Sequence, residues 1–242
     1  MNSFATPRYN RDTVTAVPFS RVQCEKPSVD DVYPRVFDTI LEQRIAPASR
    51  FTEESLGQMF GVSRSIMRGV LEKLSHQQVI ILRTHHRPRV AAPDAEQTRQ
   101  TLHARRLTEI TLVQLACRQP QATDVQRLRE LVKRQRQCLE RDQRGPALRL
   151  TGEFHLALAD MAGNAPLAHF LASLVPLTSL AIAQFNAPVE IYCGLQVHEG
   201  IVDAVACGDA LKGKALLSRY LDHLEAVLLN SQPIPGRNRV AG

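Results

Sequence analysis

The sequence holds no Cys-x-x-Cys pair. Its five cysteines, at 24, 117, 138, 193 and 207, are odd in number and widely spaced, which argues against a disulfide framework and against a zinc knuckle and fits a reducing cytoplasm. Residues 1–30 carry scattered Arg, Pro and Thr but no apolar core of about 7–15 residues, which argues against a secretory signal peptide and predicts a disordered leader. The most apolar stretch, Leu167 to Phe185, is interrupted by His169, Ser173, Pro176, Thr178 and Ser179. It therefore reads as a buried helix, and no membrane role follows. Beyond Asp94 no β-rich or alternating segment occurs, which leaves an all-helical second half.

Charge is unevenly distributed. Residues 31–91 hold nine Lys/Arg against six Asp/Glu, residues 99–149 hold twelve against five, and residues 150–242 hold five against eight. A basic N-terminal part favours nucleic acid through counterion release, whereas the acidic C-terminal part does not belong on a phosphate backbone. The Arg-rich run from Arg127 to Arg149 reads mostly as a solvated helix face. With 242 residues the chain exceeds one small DNA-binding module and leaves some 150 for a second core.

The segment Leu56 to Leu74, LGQMFGVSRSIMRGVLEKL, is the most informative. Thr52 can cap a first helix that starts with Glu53 and Glu54 and has Leu56, Met59 and Phe60 on one face. Gly61 supplies the left-handed exit, and Ser63 caps a second helix whose Ile66, Met67, Val70, Leu71 and Leu74 recur at helical spacing. Arg64, Ser65 and Arg68 fall near its start and off the apolar stripe, where guanidinium groups can reach phosphates or guanine edges. Val32, Val36, Phe37, Ile40 and Leu41 mark a preceding helix. After the pair, Val79 to Leu82 is a β-prone run, Thr84 to Pro88 a basic turn with His85, His86 and Arg87 at its tip, and Arg89 to Ala91 an antiparallel return. This is the pattern of a winged helix-turn-helix. On its own, the helix pair is equally consistent with a helical hairpin carrying solvated arginines.

From Asp94 the spacing predicts helices near 94–118, 122–142, 146–162, 165–185, 189–207 and 209–230, with breaks at Pro120, Gly145, Gly163, Pro188 and Gly208. Pro176 should kink the fourth, and the tail 231–242 should fray. Three histidines fall on three of these helices: His155 in GEFHLALADMAGN, His198 in QVHEGIVDAVACGD and His223 in SRYLDHLEAVL. Imidazoles from separate helices can converge inside a bundle on Zn, Ni, Co or Fe, or can line a polar pocket without metal.

The order of helix, Arg50-Phe51-Thr52-Glu53, GVSRSIMRGVLEKL and basic wing resembles the GntR family of bacterial regulators, with GVSR the strongest match. Family members read Thr-Pro-Val where this chain has Ser65-Ile66-Met67, Glu-Ala at Gly69-Val70, and glycine at Gln78 and Arg87. The phrases around His155, His198 and His223 resemble the FCD ligand-binding domain of the FadR branch, over residues 95–230. The resemblance implies DNA contacts at Arg50, Ser63, Arg64, Ser65, Arg68, His86 and Arg87. It also implies a divalent metal, Zn or Ni, on His155, His198 and His223, joined in the family by an Asp at the position of Thr151. Arg105, in LHARRLTEI, and Glu109 match a pocket arginine and its partner, so Arg105, Glu109 and Thr151 are the expected effector contacts. An Asp replaced by a neutral hydroxyl weakens the metal site and tilts the pocket toward an anionic ligand.

The expectation is thus a mainly α protein: leader 1–30, winged helix-turn-helix 31–91, all-α effector and dimerisation domain 95–230, flexible tail 231–242. It would act as a cytoplasmic homodimeric repressor on a pseudo-palindromic operator in double-stranded DNA, released by a small metabolite. Two rivals are a metal-dependent hydrolase or oxygenase using the three histidines, for which no general base is evident, and an architectural DNA-binding protein without a ligand.

Overall fold

The computed structural model describes residues 27–46, 49, 51–184 and 194–230. The expected leader up to residue 26, Arg50, the break at Pro188 and the tail 231–242 lie outside these residues.

The N-terminal unit contains α1 (Val29–Leu41), α2 (Glu53–Phe60) and α3 (Arg64–His76), followed by β1 (Ile80–Ile81) and β2 (Arg89–Val90). The first helix begins two residues before the expected boundary at 31 because Ser28 closes a capping box. Its side chain accepts from the Asp31 amide while Asp31 accepts from the Ser28 amide. Thr52 and Ser63 cap α2 and α3 as their residue types dictate, and Gly61 takes φ +68° between them. Val32, Val36, Phe37, Ile40 and Leu41 of α1 meet Met67, Val70, Leu71 and Leu74 of α3 in a core with almost no exposure. The two strands pair antiparallel, Ile80 with Val90 and Ile81 with Arg89, and form the expected wing.

Gln78, at the turn from α3 into β1, adopts φ +59°. An L-residue held there is strained by about 1–2 kcal/mol, part of which glycine would return as lost chain entropy. Gln78→Gly is therefore expected to stabilise the protein by about 0.5–1 kcal/mol, read as a raised melting temperature. An unchanged or lowered midpoint would show that the side chain compensates.

The second unit is all helical, with α4 (Ala95–Ala116), α5 (Ala122–Glu140), α6 (Arg144–Met161), α7 (Ala165–Ala183), α8 (Leu195–Ala206) and α9 (Ala210–Asn230). α4 packs on α6, α7 and α9, α5 packs on α6 and α8, and α8 packs on α9. Gly145 does not break a helix as expected but lies in the first turn of α6, where a Cβ would fall 2.6 Å from the Asp38 carbonyl oxygen. The glycine serves a close approach of α6 to α1. α7 runs through Pro176 without interruption. Among the described residues α7 is long and apolar enough to cross a membrane, but its C-terminal third, from Thr178 to Ala183, is buried in the bundle.

The two units share one apolar cluster that reaches from Val32 to Leu228. Across their boundary Arg149 of α6 donates to both carboxylate oxygens of Asp38 on α1, at 2.7 and 3.2 Å, and also to Glu153 at 2.5 Å. Gln43 Nε2 donates to the Ala183 carbonyl, and Gln184 Nε2 donates to that of Ala91 at 3.1 Å. Burial pushes the Asp38 carboxyl above its usual value, and Arg149 offsets part of that. The unit that should touch DNA is thus bolted to α6, the helix that also carries Thr151 and His155.

Candidate functional site

On the winged unit, Ser63, Arg64, Ser65 and Arg68 all lie exposed at the start of α3, and His86 and Arg87 lie exposed on the wing. The left-handed residue of that turn is His85, φ +61°, not Arg87, so Arg87 meets no backbone demand for glycine. The structure adds Glu53, read in the sequence only as a helix-start acid. Its carboxylate accepts from Arg64 Nε at 2.9 Å and from Arg68 Nε and Nη2 at 3.1–3.3 Å. Arg68 and then Arg64 hold its carboxyl below the usual range. One glutamate thus neutralises half of the charge the two arginines would offer an incoming polyanion. Glu53→Gln is expected to leave the melting temperature almost unchanged, since exposed ion pairs contribute about 0–1 kcal/mol. Affinity for random duplex should rise about threefold to tenfold and the salt slope should steepen. An unaltered salt slope would count against this role.

Within the bundle, five helices deliver polar side chains to one dry core. α4 brings Arg105 and Glu109, α5 brings Gln135, α6 brings Thr151 and His155, α8 brings His198 and α9 brings Tyr220; all are 5% exposed or less. Arg105 Nε donates to Glu109 Oε1 at 2.6 Å, and His155 Nδ1 lies 2.7 Å from Glu109 Oε2. Burial alone would raise the Glu109 carboxyl; Arg105 and then His155 outweigh it and bring it down to about 2. The Arg105–Glu109 pairing expected one turn apart is therefore present and fully buried.

A second chain of bonds fixes a tautomer. Thr151 Oγ1 donates to the Ala147 carbonyl at 2.9 Å, so it accepts from Gln135 Nε2 at 2.8 Å, which turns the Gln135 carbonyl oxygen toward His198 Nδ1 at 3.1 Å. His198 Nδ1 must then carry the proton. Burial, with His155 next, holds the His198 pKa well down, so the ring is neutral and its Nε2 is a bare acceptor. Among the described residues, Arg105 Nη2, His155 Nε2 and His198 Nε2 are buried and have no hydrogen-bond partner. Buried polar nitrogens of this kind mark a place where a ligand belongs.

The three expected metal histidines do not come together. His155 and His198 do, with ring centroids 5.2 Å apart. His223 is exposed on α9 and takes no part. The apolar stripe of α9 explains the difference, since Leu217, Leu221, Leu224 and Leu228 face the core and Tyr220 lies on their side, while residue 223 falls off it. Tyr220 instead packs against both imidazoles, with centroids 5.3 Å from each. Thr151, the expected effector contact, is occupied by Gln135 and its own helix. Among the described residues, two imidazoles with no carboxylate to spare do not fit the divalent metal the resemblance implies, because Glu109 is already neutralised by Arg105. The hydrolase or oxygenase alternative loses its ligand set for the same reason.

Reading the sequence missed Gln135 and Tyr220. The Arg-rich run reads mostly as solvated face, yet Gln135 stands seven residues after Leu128 and four after Leu131, on the buried stripe of α5. That period was the available signal for both residues.

A family profile described as the FCD domain matches residues 100–223. The HTH-type transcriptional regulator LutR of Bacillus subtilis (strain 168) is 24% identical over 196 residues, 72% of this chain and 89% of its own length. Among solved structures, E. coli McbR/YncC superposes with TM-score 0.68 at 17% identity, covering 83% of this chain and 96% of the other. A GntR-type transcriptional regulator from Rhodococcus sp. RHA1 gives TM-score 0.68 at 21% identity, with coverage of 84% and 98%.

Proposed function

Because this chain belongs to the FCD-domain branch of the GntR-type transcriptional regulators, we propose that it is a cytoplasmic DNA-binding repressor whose grip on its operator is set by a small molecule held in the helical bundle. The observation that carries the reading is the exposed pair Arg64 and Arg68 at the N-terminal end of α3, on a winged helix-turn-helix. Two copies of that helix, one from each protomer of a homodimer, would read a pseudo-palindrome in double-stranded DNA, with the wing residues His86 and Arg87 on the phosphate backbone.

The buried core supports the sensing half. Arg105 Nη2 is a spare cationic donor and His198 Nε2 a spare acceptor, so the complementary ligand is a small anion that also brings an O–H or N–H. α6 contributes His155 to that core and Arg149 to α1, so a ligand that shifts α6 alters the seating of the DNA-binding unit. Gel-shift titration of an operator complex with a library of small anions tests this. Release of DNA by one class of anion is the expected outcome, and a complex that responds to none would leave an architectural DNA-binding protein.

Asp38→Ala removes the carboxylate that takes both Arg149 contacts across the boundary. It is expected to lower stability by about 1–3 kcal/mol, as measured by thermal melting. A melting curve identical to wild type would remove this ion pair from the domain junction.

A further inference from the structure

We infer that the ligand site of this chain works without a metal ion: a small anion bonds directly to Arg105 and the two imidazoles, and Tyr220 stands where a third imidazole would be needed to complete a coordination shell. This rests on the effector reading of the same core.

A tetrahedral or octahedral ion on imidazoles needs at least three protein donors and, in a buried setting, negative charge to offset its own. His155 and His198 each turn Nε2 inward, backed by Glu109 and Gln135 respectively. Support of that kind orients a metal ligand, but among the described residues the imidazole donors stop at two. Two rings meet both imidazoles: Phe154, which has no donor atom, and Tyr220, a phenol whose ring face lies against His155 at an interplanar angle of 27°. The room for this larger ring is built in, since a Cβ at residue 194 would fall 2.7 Å from Tyr220 Cε2 and the residue there is glycine. Thr151 carries no charge, and its oxygen is engaged by Gln135.

Charge points the same way. Among the described residues Glu109 is the one buried acid of the site and is matched by Arg105, so a dication would enter beside a guanidinium with none of their carboxylates left to compensate it. An anion in the same place gains the spare Arg105 Nη2. The residues that remove the metal are therefore also the ones that make the core a direct anion receptor.

The test uses full-length, untagged protein with NiCl2 and ZnCl2 as the only probes, read by calorimetry and by metal content after dialysis. Wild type is expected to retain no stoichiometric metal. Tyr220→His, and Tyr220→His combined with Thr151→Asp, are expected to bind Ni2+ at least about 100-fold more tightly than wild type. Far-ultraviolet circular dichroism checks that both variants fold, and the single variant stands in if the double one does not. One equivalent of metal per wild-type protomer, lost on His155→Ala or His198→Ala, would overturn the inference. So would Tyr220 variants that fold and remain as blind to metal as wild type. Neither result depends on DNA binding, so a failure of the regulator reading would be seen separately.

Discussion

Replacing Glu109 with alanine is expected to lower stability by about 3–5 kcal/mol, because it strands a guanidinium in a dry core. Arg105 and Glu109 are each 2% exposed, and no solvent reaches the pair to take over the lost partner. The same substitution takes from His155 Nδ1 the carboxylate oxygen 2.7 Å away. For a chain of this size that loss corresponds to a fall in melting temperature of roughly 6–20 °C. Removing both charges at once, with Arg105→Leu and Glu109→Leu, should recover most of the stability, since a buried pair replaced by apolar groups is often close to neutral. The double variant should nevertheless no longer answer to any small anion. A single Glu109→Ala variant that melts with wild type would show that the pair is solvated and that the core is not the dry receptor described here.

The pair also sets an acid limit. Glu109 titrates at about 2 in the fold against an ordinary 4.5, so its contribution is complete above pH 4.5 and is lost as pH falls from there toward 2. The Arg105 guanidinium on its own helix and the His155 imidazole on α6 are the groups that face it. Melting temperatures of wild type should therefore drop over that window by more than those of Glu109→Gln. Parallel curves would exclude Glu109 as the source.

Arg64→Ala combined with Arg68→Ala is expected to weaken operator binding by about 10²–10⁴-fold, from about 1–3 kcal/mol for each arginine that reads a base edge or clamps a phosphate. The side chains are 68% and 53% exposed, and their protein partner is the single carboxylate of Glu53. Folding should hence be almost untouched, with melting within about 0.5 kcal/mol of wild type. The contrast between an intact fold and a lost complex is what identifies a recognition surface. Fluorescence anisotropy on a promoter fragment protected by wild type measures it, and an affinity equal to wild type would take both residues off that surface. Against Glu53→Gln the comparison is sharper still, because the two changes act on the same charge cluster and are expected to move affinity in opposite directions.

Much of this was legible in the linear sequence for local reasons. Thr52, Gly61 and Ser63 start and stop helices by short-range bonds that need no partner element, and the structure places α2 and α3 where those residues put them. Val79 to Ala91 paired as a wing because a β-prone run, a basic turn and a return strand can close on themselves. Arg105 and Glu109 found one another because i and i+4 share a helix face. The errors share a cause as well. Gly145 reads as a breaker because its neighbour Asp38 is more than a hundred residues away, and His223 reads as a ligand because the family resemblance outweighed the apolar stripe of its own helix.

Periodicity, caps and turn residues determined by themselves that this is a winged helix-turn-helix joined to an all-α bundle, since each depends on contacts within a few residues along the chain. Which side chains meet at the centre of that bundle was decided only by the packing of α4, α5, α6, α8 and α9. A polar core assembled from five helices has no local signature. Its membership follows from which face each helix turns inward once all are packed, and that choice seated Tyr220 beside His155 and left His223 in water.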